Sequence, residues 1–214
     1  MTVRRALAVA LVDLYHQAWR LLLLNVLLGA VLLAVVLATI ATPVGVLLAL
    51  ALGPLMAAVM HCAVTLAQTE ELRLAEVARG LGRHWRRGLA LGALLVLGAI
   101  VGTLAVRFYA RAGTWAWPFA AFCVYVLLGA AAFQMALWPL AVFETDRSLR
   151  VVARDAALVV VRRPLGFVGL VLALLLVNVA GVAAAILPFL TLTIAYSFLA
   201  VAHYALPANP AREA

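Results

Sequence analysis

The feature that most constrains this chain is a series of long apolar runs without a single charge, separated by short stretches crowded with arginine. Residues 21–38, 44–67, 89–106, 115–143, 164–187 and 188–206 contain no Asp, Glu, Lys or Arg apart from their edges. Each is about as long as the roughly 20 residues a helix needs to cross a bilayer. With no water to satisfy backbone groups in the hydrocarbon, helices are the economical way to span it. The 68% hydrophobic and 11% charged composition over 214 residues excludes an ordinary soluble domain. The expected fold is therefore all-α: a polytopic membrane helical bundle of six transmembrane helices arranged as three hairpins, forming one integral membrane domain over residues 1–214.

Between the spans, residues 3–20, 70–88 and 146–163 read as interfacial amphipathic helices. Residues 74–88 are the clearest case. On a helical wheel Leu74, Val77, Ala78, Leu81 and Trp85 fall on one side, and Arg73, Glu76, Arg79, Arg83, Arg86 and Arg87 on the other. That division suits a helix lying at the acyl boundary with its arginines among headgroups. Arg154, Arg162 and Arg163 repeat the theme in the third such helix. Val77-Ala78-Arg79 is matched by Val152-Ala153-Arg154, and Trp85-Arg86 by Trp19-Arg20, as though an interfacial helix and a membrane hairpin recur three times in the same orientation.

Topology follows from the arginines. The chain has 16 Lys plus Arg, all of them arginine, and a formal charge of +8. With six spans, 14 of the 16 lie on one side, and only Arg107 and Arg111 oppose them. The positive-inside rule puts the rich side and both termini in the cytoplasm of a bacterial inner (plasma) membrane. Clustering between spans favours this topological reading of the charge over nucleic-acid binding, and the expected partners are the bilayer and its anionic headgroups. Phe108, Tyr109, Trp115 and Trp117 around the 107–114 loop form an interfacial aromatic belt.

Inside the spans, Gly45, Ala49, Gly53, Ala57, His61 and Thr65 recur every four residues, drifting about 40° per step. Small residues so placed let backbones approach closely, and Gly88, Gly92, Gly98 and Gly102 form the matching face of the next span. Pro43, Pro118, Pro164 and Pro188 stand near span starts, where a missing N–H costs nothing, while Pro54 and Pro139 lie within spans and should kink them. Cys62 and Cys123 read as small buried hydrophobes at different depths, too far apart for a disulfide. The polar residues at membrane depth, Asn25, His61, Gln134, Asn178 and His203, must face the bundle. Asn25, His61, Thr65, Gln134 and His203 fall in the cytoplasmic half and define a candidate polar pocket.

No catalytic constellation is present in the sequence. Neither Ser148 nor Ser197 stands in Gly-x-Ser-x-Gly, and no His-Glu-x-x-His or Cys-x-x-Cys offers metal ligands. A non-enzymatic protein without cofactor is expected. Asp146 and Arg150 are spaced as a helical ion pair.

Three stretches in order carry a family resemblance: Asn25 with Gly53-Pro54-Leu-Met-Ala-Ala-Val59, then residues 76–88 with Trp85, then Trp138-Pro139-Leu-Ala-Val-Phe143 leading to Ser148-Leu149. Over residues 20–206 the chain resembles the YesL-like family of bacterial membrane proteins, a domain of unknown function. It departs from that pattern at the first hairpin, where Thr42-Pro43 replaces Leu-Pro-x-x-Thr. The resemblance implies an accessory component associated with carbohydrate uptake, working beside a transport complex. A small-solute or lipid transporter using the polar pocket is the alternative.

Overall fold

The computed structural model describes residues 2–42, 45–69, 71–183 and 192–207, with side chains 45–47 left aside. Pro43, Pro188, residues 184–187 of the fifth expected span and 188–191 of the sixth lie outside the described residues. Among the described residues eight α-helices follow one another: α1 (Val3–His16), α2 (Ala18–Ala41), α3 (Gly45–Thr69), α4 (Ala75–Arg111), α5 (Trp117–Phe143), α6 (Leu149–Arg162), α7 (Pro164–Ala183) and α8 (Ile194–Ala205). A single 3-10 turn, Thr114–Ala116, precedes α5. No strand occurs among the described residues. Among the described residues five helices are long and apolar enough to cross a membrane: α2, α3, α4, α5 and α7. α8 is a shorter apolar helix of 12 residues among those described.

The largest departure from expectation is α4. The arginine-rich segment and the following span are one unbroken helix of 37 residues, about 55 Å long. A helix lying in the interface needs a break before it can turn into the membrane, and the backbone at Gly88-Leu89 offers none. The contrast with the third copy gives the reason. There Pro164 lacks an N–H and disfavours helical geometry at the residue before it. Arg163 accordingly leaves the helix at φ −139° and ψ 53°, separating α6 from α7. Between the first amphipathic helix and its span, Gln17 makes the same kind of break.

At its far end α4 runs on to Arg111, so the 107–114 loop shrinks to Ala112-Gly113. Gly113 makes the reversal at φ +105°, a region that only glycine enters freely. The belt aromatics gather beside it: Tyr109 stacks on Phe119 at 5.6 Å, and Trp115 meets the same ring edge-on at 6.4 Å.

Burial is lopsided along the bundle. Residues 57–67 of α3, 132–142 of α5, Phe167 to Leu174 of α7 and Leu199 to Leu206 of α8 supply most of the buried core. They share the end where α1 and the α3–α4 and α5–α6 links meet. Toward the other end Leu37, Ile40, Leu104, Phe122 and Val179 are each more than half exposed. Such side chains lose nothing by facing lipid, because acyl chains are as apolar as they are. α1, the amphipathic helix, packs chiefly on α8, burying Ala6 and Ala10 completely.

The most extensive helix contact joins α3 to α4, and it is built as expected from small residues. A Cβ added at Gly53 would lie 2.3 Å from the Gly88 carbonyl oxygen, and one at Gly88 would lie 2.7 Å from that of Gly53. Gly92 stacks over Gly53 in the same crossing. Backbones this close exchange Cα–H···O contacts that a side chain would forbid. Gly98, expected on the same face, has open space around it, and Gly102 packs instead on Leu127 of α5. Cys62 and Cys123 are both free thiols, the first buried.

Candidate functional site

The α3–α4 crossing extends into a histidine pair. Gly80, His84, Gly88 and Gly92 follow one another every four residues on α4, all buried, and meet Gly53, Ala57 and His61 on α3. Gly80 leaves room for His61, whose Cβ an added Cβ would meet at 2.9 Å and whose ring Cδ2 at 3.0 Å. The His61 and His84 rings stand 5.1 Å apart, and His61 Nε2 lies 3.4 Å from Glu76 Oε2. Arg79 holds the other oxygen of Glu76. His84 is 1% exposed, and neither ring nitrogen has a hydrogen-bond partner. Among the described residues, no three His, Cys, Asp or Glu side chains are placed to hold a metal ion.

Thr65, one turn beyond His61, is half-buried, and its carbonyl accepts a bond from the Thr69 hydroxyl. Asn25, 1% exposed, reaches from α2 to the start of α8, where its Oδ1 accepts the Ala195 N–H at 2.7 Å. That is a helix cap supplied by another helix; Thr193, at the N-cap position, makes no side-chain cap of its own. His203 lies near the end of α8 with Nε2 2.7 Å from Asp13 Oδ2 on α1, and both side chains are buried. The Tyr196 hydroxyl adds a bond to the Leu7 carbonyl of α1. Asn178 is satisfied at both ends of its amide. Its Nδ2 donates to the Leu174 carbonyl and to Ser197 Oγ, and its Oδ1 accepts from the Thr193 hydroxyl.

Gln134 is different. Its Oε1 is buried without a hydrogen-bond partner. The residue borders an open groove of about 400 Å³ between α3, α4, α5, α7 and α8, whose lining is almost wholly apolar: Met56, Met60, Leu95, Met135, Trp138 and Phe198 are representative. Asn178 and Ser197 also border it. Of the five residues expected to share a polar pocket, Gln134 alone lines this groove. Asn25, His61 and His203 each bond to a different element, because each has a nearer partner than the others.

The arginines divide into an inward and an outward set. Arg87, expected among the lipid or partner contacts, is turned into the protein. Its Nη1 donates to the carbonyls of Ala141 at 2.8 Å and Glu144 at 3.0 Å, and its Nη2 to those of Thr145 and Arg147. Ala141 and the C-cap Glu144 are orphan acceptors at the end of α5, where the helix dipole also favours a cation, and Thr145 and Arg147 belong to the link that follows. One planar guanidinium thereby closes a helix terminus 54 residues away in sequence. Arg20 similarly donates to the Leu72 carbonyl in the α3–α4 link. Arg147 bridges Glu144 at 3.1 Å and Asp155 at 3.0 Å. Asp146, outside α6, forms no helical pair with Arg150, since the spacing rule applies only within a helix.

Arg79, Arg83, Arg86, Arg154, Arg162 and Arg163 are exposed. Among the described residues, Arg83, Arg86, Arg154, Arg162 and Arg163 have no carboxylate within ion-pair distance. Trp85 is 48% exposed beside them, with the Arg86 guanidinium 5.2 Å from its ring centre. Trp19 and Arg20 repeat that stacking at 5.3 Å. The apolar side of the α4 wheel thus looks outward, with Leu74, Leu81 and Trp85 all exposed, and the glycine–histidine line is what packs.

Sequence reasoning passed over Asp13, Glu76 and His84 as site residues. The signal for His84 was legible in the four-residue spacing of Gly80, His84, Gly88 and Gly92. Compared with family models, with curated proteins and with solved structures, the chain matches none.

Proposed function

We propose that this chain is a non-enzymatic, six-span protein of the bacterial inner membrane, threaded as three hairpins with both termini cytoplasmic, and that it serves as an accessory component associated with carbohydrate uptake. The observation that carries an accessory role over a conducting one is the pairing of polar groups across helices. Asn25 is spent on the α8 cap, His203 on Asp13, and Asn178 on Ser197 and Thr193. Groups so engaged make a frame, whereas a conduit needs polar groups free to exchange partners with a passing solute. The exposed arginines of α4 and α6 supply the surface by which that frame meets anionic headgroups on the cytoplasmic side, at about 1 kcal/mol each. The link to carbohydrate uptake rests on the resemblance over residues 20–206.

A deletion strain tests the role. Lost growth on a glycan while its importer is still made supports the accessory reading; unchanged growth on every glycan tried refutes it. Single cysteines at Arg83 and Arg111, probed with an impermeant maleimide on intact spheroplasts, test the threading: only the Arg111 position should react. A second reading, a small-solute or lipid transporter, is favoured by the groove beside Gln134. Uptake by the purified protein in liposomes without a partner would establish it and defeat the accessory role.

A further inference from the structure

We propose that His61 and His84 form a proton-operated latch on the α3–α4 seam, closed while the pair carries no more than one proton and released over residues 75–87 when His84 is protonated. The inference rests on neither functional reading above; it concerns how one end of α4 is held.

The seam changes character along its length. At Gly53, Gly88 and Gly92 it is backbone against backbone, with no group that titrates. Between Glu76 and His84 it is held by side chains. Gly80 receives His61, the two imidazole rings stand 5.1 Å apart at 43°, and His61 Nε2 lies 3.4 Å from Glu76 Oε2. This stretch is also the weaker part of the helix, because Gly80 and Gly82 are poor helix formers. It ends at Arg87, which is tied to the carbonyls of Ala141 and Glu144.

The charges around the pair leave room for one proton. Among the described residues Glu76 is the carboxylate that meets it, and Arg79 already takes the other Glu76 oxygen. A proton on His61 is tolerated, for it turns the contact with Glu76 into an ion pair. His84 has no such outlet. It is buried, both its ring nitrogens lack a partner, and the charges acting on it are those of His61 on α3 and of Arg83 and Arg87 on α4. The buried Cys62 thiol on α3 offers no counter-charge, and toward α5 the Glu144 carboxylate is bound to Arg147. An imidazolium buried among cations without a counter-ion is costly, so a proton on His84 and a closed seam exclude one another. Water meets the pair through His61 and Glu76, whose side chains are 18% and 14% exposed, and the proton arrives by that route.

The sign of the pH dependence follows. Once released, His84 takes its proton at the ordinary imidazole value of about 6.5, whereas the closed seam gives it no place. Closure is therefore fully favoured above about pH 6.5, and below it the opening equilibrium rises about tenfold per pH unit. Release moves Arg79, Arg83 and Arg86 away from α3, which makes the position of that cationic surface proton-dependent.

Hydrogen exchange of the full chain in phosphatidylcholine nanodiscs, read by mass spectrometry and corrected for the intrinsic pH dependence of amide exchange, tests the proposal. Between about pH 7.5 and about pH 5.5 residues 75–87 should lose about tenfold in protection, while residues 97–106 of the same helix keep theirs. In His84→Leu the loss on acidification should vanish. Unchanged protection of residues 75–87 in the unmodified protein overturns the proposal, whatever the variant's folding. An equal loss over residues 97–106 overturns it too, since acid then acts on the whole fold rather than on the latch. A loss that persists in His84→Leu overturns it as well, by placing the responsible proton on another group.

Discussion

Adding one methyl group to Gly53 is the sharpest perturbation the structure offers. The new Cβ would sit 2.3 Å from the Gly88 carbonyl oxygen and 3.1 Å from the Gly92 Cα, all of it backbone that no rotamer change can move aside. Restoring an ordinary contact of about 3.4 Å requires α3 and α4 to separate by roughly 1 Å at their crossing. A gap of that size forfeits a quarter to a half of each dispersion contact along the seam, and overpacking of this kind typically costs about 1–3 kcal/mol. We expect Gly53→Ala to sit at the upper end, about 3 kcal/mol, because both partners are backbone and the seam is the most extensive in the protein. At about 2–4 °C per kcal/mol for a chain of this size, the midpoint of thermal unfolding in detergent should fall by roughly 6–12 °C. Gly98→Ala is the internal control. Nothing lies within 4 Å of its added Cβ, so helix propensity alone acts and favours alanine by up to about 1 kcal/mol. The same substitution should thus have opposite signs at two sites separated by about 9 Å of helix rise, the distance from Gly92, which meets Gly53, to Gly98. Equal midpoints for Gly53→Ala and Gly98→Ala would refute the close crossing.

Three further outcomes follow from the side-chain geometry. Arg87→Met should destabilise by about 2–3 kcal/mol, because charge-assisted bonds to four carbonyls at the end of α5 and in the α5–α6 link are lost; Arg87→Lys should recover only part of this, lacking the planar fork, and thermal unfolding of both variants checks it. Asp13→Leu should cost about 3–5 kcal/mol by stranding the buried His203, and a double-mutant cycle with His203→Leu that proves additive would show that the two side chains do not pair. His84→Leu should raise the unfolding midpoint, by the equivalent of about 1 kcal/mol or more, because it removes two unsatisfied buried nitrogens at similar volume; a lowered midpoint would mean that the ring has a partner the protein relies on.

Hydropathy alone made the helices legible, because a bilayer leaves a charge-free run of this length little other choice. The close contact of α3 with α4 was legible too, since spaced glycines have a direct steric meaning. What could not be read was where helices continue or stop. Whether residues 74–88 lie apart from the next span depends on one backbone junction, and Gly88 is as compatible with a continuous helix as with a break. Arg87 illustrates a second limit. On a wheel it belongs with Arg83 and Arg86, but its long side chain reaches a terminus that only the tertiary arrangement brings near. The polar pocket expected from depth was dispersed for a related reason. Equal depth does not mean adjacency, and Asn25, His61 and His203 lie on different sides of the bundle, each with its own partner.

The clasp between the first and last helices carries a consequence for synthesis. Asn25 waits for Ala195, Leu7 for Tyr196 and Asp13 for His203, separations of 170, 189 and 190 residues. At about 5–20 residues per second, the ribosome needs roughly ten to forty seconds to deliver the matching segment after the first helices have emerged. Through that interval the three bonds that α8 brings to the first two helices remain unmade. A chain built this way joins its first helices to its last only at the end of synthesis, so the clasp forms after the helices between them have been made.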